Sequence, residues 1–143
     1  MFEPINRKSP EDRRSVHLDP ASIPTIKQGQ ILEVDAADGY AKLADGAAVV
    51  AAPLWAFTKS SRLDVSIAKA VTVLEAPFLA RVDTDGYAGS PTAKAALAVG
   101  TAGNVGKLVV VSVTADATTL QKVVAYCTKA PDADGVMEFK AIR

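Results

Sequence analysis

The chain has 143 residues, with 16 basic and 16 acidic side chains that leave no net charge. That length suits one domain, and the balance supplies no field to draw nucleic acid or an anionic membrane surface. One cysteine, Cys127, and one histidine, His17, exclude an intramolecular disulfide and a thiolate metal site.

Residues 1–22 read as an extended N-terminal arm. Arg7, Lys8, Arg13 and Arg14 alternate with Glu3, Glu11, Asp12 and Asp19, and Pro4, Pro10 and Pro20 interrupt the run. Such a stretch has too little apolar material for a core and too many prolines for a helix. Removing Met1–Pro20 is therefore expected to leave the remaining domain, residues 23–143, folded.

From Ile23 the pattern is β. Gln30–Asp35 and Tyr40–Ala44 are predicted strands joined by the turn Ala36-Ala37-Asp38-Gly39. Asp45-Gly46 is a hairpin signal. Val49–Thr58 is apolar but holds Pro53, which predicts an edge, bulged or divided strand with Trp55 and Phe57 on one face. Arg62–Ile67 and Val71–Glu75 are further strands. In Phe78–Asp83 the residues Phe78, Ala80 and Val82 share one face.

Thr84–Pro91 has the composition of an exposed loop. Thr92–Val99 is ambiguous, because its alanines favour helix while strands flank it. Three strands close the chain, in Gly106–Val113, Lys122–Thr128 and Val136–Ile142. Cys127 lies mid-strand among apolar residues, so a buried, inert thiol is expected. In the last strand Met137, Phe139 and Ala141 alternate with Glu138 and Lys140, and Pro131-Asp132-Ala133-Asp134-Gly135 supplies the hairpin turn before it.

Short strands with turns every 8–12 residues or so predict an all-β fold, a small β-barrel or sandwich of antiparallel strands. Its core is thin. Hydrophobic residues make up 49%, but Ala supplies much of that, and large aromatics are few: Trp55, three Tyr and four Phe. Burial between subunits is favoured accordingly. The longest apolar run, Ala47–Phe57, is broken by Pro53 and falls short of the roughly 20 residues a membrane helix needs. With a polar, charged N-terminus, a soluble chain made in a reducing compartment is expected.

Motifs that bear on chemistry are weak. Gly100–Lys107 has the glycines of a phosphate loop, but Leu108 stands where Ser or Thr binds magnesium, and a strand follows where a helix is required. Asp83-Thr84-Asp85-Gly86 and Asp132-Ala133-Asp134-Gly135 lack the remaining ligands of a calcium loop. No cofactor is expected. His17 lies in the arm, apart from any partner nucleophile, so an enzyme is not expected.

Two resemblances follow. Asp83–Gly89 resembles the Asp-x-Asp-Tyr-x-Gly segment of trimeric dUTPases, with Gly86 inserted and the phosphate motif of those enzymes absent. The wider pattern is Ile26–Leu32, Val71–Phe78, Leu97-Ala98-Val99-Gly100, Gly106-Lys107-Leu108, Val123–Cys127 and Asp132–Phe139, in that order. It is similar to the capsid decoration, or cement, proteins of tailed bacteriophages, from which it departs at Ala125-Tyr126, where Gly is often found.

That resemblance implies a structural virion protein, made in the host cytoplasm and bound to the outer surface of the head. Its partners would be the major capsid protein and two further copies of itself in a homotrimer. The expected contacts are Arg7, Lys8, Arg13 and Arg14 in the arm, with Trp55 and Tyr126 as anchors. The other readings are a dUTPase-like enzyme and a carbohydrate- or surface-binding module presenting Tyr40 and Tyr87.

Overall fold

The computed structural model describes residues 1–5, 13–19, 25–57, 62–64, 70–113 and 116–143. The terminal hairpin forms as the alternation requires. β12 (Val123–Lys129) and β13 (Met137–Ala141) pair antiparallel, with Cys127 opposite Phe139. The Asp132 carboxylate fixes the turn by accepting from the amides of Asp134 and Val136 at 3.0 and 2.9 Å. Met137, Phe139 and Ala141 are buried and Lys140 is exposed.

Around this hairpin lies a six-stranded antiparallel sheet. It adds β1 (Phe2–Pro4), β9 (Phe78–Val82), β10 (Ala96–Val99) and β11 (Leu108–Val110), in the order β1-β9-β13-β12-β10-β11. The alanine-rich stretch before β11 is thus a strand where Ala96–Val99 sits between β11 and β12. Helix propensity, a weak prior, yields there to two ladders of backbone hydrogen bonds. The outward amide and carbonyl of Leu108 on β11 are taken by Gly86 and Ala88, at 2.9 Å each.

A five-stranded sheet packs against the first. Its strands are β2 (Arg13–His17), β4 (Ile31–Val34), β5 (Ala41–Leu43), β6 (Leu54–Ala56) and β8 (Ala70–Leu74), ordered β2-β8-β6-β4-β5. A ribbon of β3 (Thr25–Lys27) and β7 (Arg62–Asp64) completes the strands, and a short helix, α1 (Ala117–Lys122), leads into β12. Of the alternatives for an all-β chain, the two sheets realise the sandwich and not a closed barrel. One bridge, Leu18 to Ala41, brings the chain beyond β2 back toward β5, so the smaller sheet curls over itself.

The main core lies between the sheets. Trp55, Phe78 and Phe139 form its centre, with Trp55 and Phe78 edge to face at 5.1 Å between centroids. The curl holds a second core of Val16, Leu18, Ile26, Leu32, Leu54, Val71 and Val73. β6 shows how one strand serves both: Leu54 and Ala56 face the second core and Trp55 the first. A strand buried on both faces reads as an unbroken apolar run, as Leu54-Trp55-Ala56 does.

Four details differ from the sequence reading. β6 is internal to its sheet, because Pro53 falls just before its first residue and removes no ladder donor. Asp45-Gly46 does not turn a hairpin, since β4 lies between β5 and β6. There the chain crosses to the other sheet, the Gly46 amide donates to the Gly100 carbonyl at 3.1 Å, and a Cβ on Gly46 would fall 1.8 Å from the Val99 oxygen. Within Thr84–Pro91, expected to be exposed, Gly86, Tyr87 and Pro91 are buried.

The fourth concerns residues 1–22. Two stretches of the segment expected as an arm are strands of the sandwich: β1 pairs with β9 and β2 with β8. Phe2 enters the main core against Phe57, Phe78 and Phe139, and Val16 and Leu18 enter the second. The described part of the stretch carries few apolar residues, but Phe2, Val16 and Leu18 among them are buried, while Glu3, Arg14 and His17 are exposed.

Candidate interaction surface

The residues expected to make contacts lie in different parts of the molecule. Arg7 and Lys8 lie outside the described residues. Arg13 opens β2 opposite Leu74. Arg14 follows it at the rim of the second core and pairs through Nε with Glu75 at 2.7 Å, both side chains about half exposed. Such a pair contributes little to stability and leaves both groups open to exchange partners. Trp55 is fully enclosed by its own chain and presents no surface to a neighbour, which corrects its place among the contacts. Its Nε1 has no hydrogen-bond partner. Tyr126 alone of the two anchors is on the surface, 38% exposed on the outer face of the six-stranded sheet, between Lys140 and Ala96 in register.

The loops that invite chemical readings are bound up in the fold. In Asp83–Gly89, Asp83 meets the amino group of Met1 and accepts from the Asp85 amide at 3.0 Å. Asp85 pairs with Lys27 at 2.7 Å, and Lys107 Nζ donates to the Thr84 carbonyl at 3.0 Å. The Tyr87 hydroxyl donates to the Gly135 carbonyl at 2.8 Å, tying this loop to the terminal hairpin. A tyrosine held in this way is no stacking platform, so of the two aromatics proposed for a carbohydrate module only Tyr40 is exposed. The likeness to a dUTPase segment also loses its tyrosine to the core.

Gly100–Lys107 is a seam between the sheets. Asn104, Val105 and Lys107 amides donate to carbonyls within the loop, and the Gly106 amide reaches the Ala44 carbonyl at 2.9 Å, while its own carbonyl accepts from Ile31 at 2.7 Å. These donors are committed to backbone acceptors and do not converge on a point where a phosphate would sit. Gly106 has φ +74°, and a Cβ there would meet Leu43 at 2.6 Å, so glycine is required by conformation and by space. Among the described residues no three His, Cys, Asp or Glu side chains gather as metal ligands would.

Two buried groups titrate out of their ordinary range. Burial raises the Cys127 thiol above its ordinary value of 9.0, and its sulfur donates to the Lys129 carbonyl at 3.3 Å. Burial also raises the Tyr87 hydroxyl above 10.0, reinforced by the charges of Asp132 and Asp83. In both cases the neutral form is favoured when folded. Their contribution to stability is whole below the unfolded values and is lost as pH rises through the folded ones. The thermal midpoint is therefore expected to fall above about pH 9, the thiol's ordinary value. A Cys127→Ala, Tyr87→Phe double variant, followed by circular dichroism, should show a shallower alkaline fall than the parent. An unchanged slope would assign the loss to other groups.

No helix of the described residues is long and apolar enough to cross a membrane. What the surface offers is the outer face of the six-stranded sheet, bearing Tyr126, and exposed apolar side chains elsewhere at Val110, Val113 and Leu120. No protein-family model matches the chain, and no curated protein matches it.

Proposed function

We propose that the chain is a capsid decoration protein, a structural subunit that binds the outside of the major capsid lattice as a homotrimer and stabilises the head. One observation carries the reading. The similar segments Leu97–Gly100, Gly106–Leu108, Val123–Cys127 and Asp132–Phe139 fall on β10, β11, β12 and β13, which lie side by side as β13-β12-β10-β11. Turn and strand signals scattered along the sequence thus lie on or beside four adjacent strands of the six-stranded sheet. A pattern shared in that order is accounted for by a shared structural unit.

The surface is compatible with the role. The chain has no net charge, so copies crowded on a lattice are not driven apart. Many weak contacts repeated by symmetry reinforce one another, since each bound contact raises the effective concentration of the next.

The test is light scattering of the purified chain followed by co-sedimentation with empty heads of the phage that encodes it. A trimer that pellets with heads and raises their disruption temperature is expected. A monomer that stays in the supernatant at saturating concentration would refute the proposal.

A further inference from the structure

Strand register sets side chains in rows across a sheet. On the outer face of the six-stranded sheet one such row crosses four strands and ends at Ile5, the residue after β1. Ile5 donates to the Leu79 carbonyl at 2.7 Å, Leu79 stands opposite Lys140, Lys140 opposite Tyr126, and Tyr126 opposite Ala96. The row is roughly 20 Å long, at the usual spacing between strands. Ile5 and Tyr126 are exposed, at 39% and 38%, Leu79 is half-buried and Ala96 is buried.

The neighbouring row has a different character. Glu3 stands opposite Arg81, Arg81 opposite Glu138, and Glu138 opposite Lys129. Sign alternates at every step. Arg81 Nε lies 3.7 Å from Glu138, which also accepts from the Thr128 hydroxyl at 3.3 Å. Charges in this row have opposite charges beside them. Lys140 has Leu79 and Tyr126 as its in-register neighbours, with Glu138 two residues before it on the same face, and among the described residues no ion pair holds it. The face is therefore an apolar stripe with a charged border and one cation unanswered at its centre.

We infer that this face seats on an apolar protein surface that presents a carboxylate to Lys140. Resting on the function proposed above, that surface belongs to the capsid shell. Charge complementarity selects this occupant over a second copy laid on the same face. A copy seated face to face by a two-fold brings only Glu3 and Glu138, already set against Arg81 and Lys129, and it brings another Lys140; a copy seated by its other surface, as around a threefold, is told apart by oligomeric mass in the test below. A shell subunit with an acidic residue among apolar ones answers the cation and covers the stripe. Tyr126, wide and flat with a polar tip, has the character of a central contact residue.

The experiment is co-sedimentation with empty heads across a range of protein concentrations and salt, using the full chain and four variants. Tyr126→Ala and Lys140→Glu should each need roughly tenfold more protein for half occupancy. Lys140→Met should keep much of the binding and lose most of its salt dependence, because the charge pair is gone and the apolar contact remains. Tyr40→Ala, on the other sheet, should bind like the parent. Thermal midpoints of all four should match, since each side chain is exposed. If the parent pellets and the Tyr126 and Lys140 variants pellet equally well, the face is not the contact, and the decoration role stands without it. If those variants instead lose oligomeric mass, and the trimer that remains at high concentration binds like the parent, the face joins copies of the chain and the inference is overturned. A parent that never pellets refutes the decoration role itself.

Discussion

Deletion of residues 1–20 yields a chain that no longer unfolds in a single cooperative transition near the parent's midpoint. The deletion removes β1 from one sheet and β2 from the other, with every ladder bond they make to β9 and β8. It also removes Phe2, Val16 and Leu18, all buried. At about 1.5–3 kcal/mol for each large apolar side chain, the lost burial comes to about 5–9 kcal/mol. Net stabilities are about 5–15 kcal/mol, so the loss takes most or all of the reserve. Phe2→Ala alone should cost about 3–5 kcal/mol, because three aromatic neighbours are left facing a hole. Urea denaturation of the deletion and the point variant measures both. A shortened chain with the parent's midpoint would mean that β1 and β2 are ornaments on a self-sufficient core.

Trp55→Ala is the second large effect, at about 3–5 kcal/mol. The indole sits at the centre of the main core, edge to face with Phe78 at 5.1 Å and tilted by 27° against Phe139 at 6.3 Å. Truncation removes the widest side chain from between two sheets that the surrounding Ala and Val cannot close up. Trp55→Phe is expected to be far milder, within about 1–2 kcal/mol of the parent. It loses volume but also removes a buried indole N–H that has no partner, and an unmet donor is itself costly. Since Trp55 is the only tryptophan, these variants are followed by far-ultraviolet circular dichroism and not by indole fluorescence. Equal damage from Ala and Phe would show that the indole nitrogen contributes through a bond of its own.

Where one face of a strand is buried and the other wet, the alternation stands in the sequence, as in Phe78–Val82 and Met137–Ala141. Those strands and the hairpin at Asp132–Gly135 were legible. Leu54-Trp55-Ala56 was legible as apolar but not as internal, because a strand buried on both sides carries no alternation and Pro53 argued for the margin of a sheet. β1 was hidden: three residues are too short to show a period, and a single phenylalanine among Glu and Pro gives no signal. Asp45-Gly46 misled because the glycine answers to a steric demand from Val99, which lies in another strand. Of the face proposed as a contact, only Tyr126 was legible. The row that joins it to Ile5, Leu79 and Lys140 is perpendicular to the chain and is set by partners far apart in sequence, Ile5 with Leu79 and Leu79 with Lys140, so no window along the sequence contains it.

The margins of the two sheets have a consequence for life at high density. A strand that offers a bare line of amides and carbonyls is a template on which like molecules zip into fibres. At one flank of the larger sheet β1 is three residues long and includes Pro4, which has no amide hydrogen to offer. At the opposite flank the outward groups of Leu108 are already spoken for by Gly86 and Ala88. The Leu18–Ala41 bridge turns the smaller sheet's end inward. Molecules packed shoulder to shoulder are thereby kept from polymerising through their backbones, and what passes between them is left to side chains.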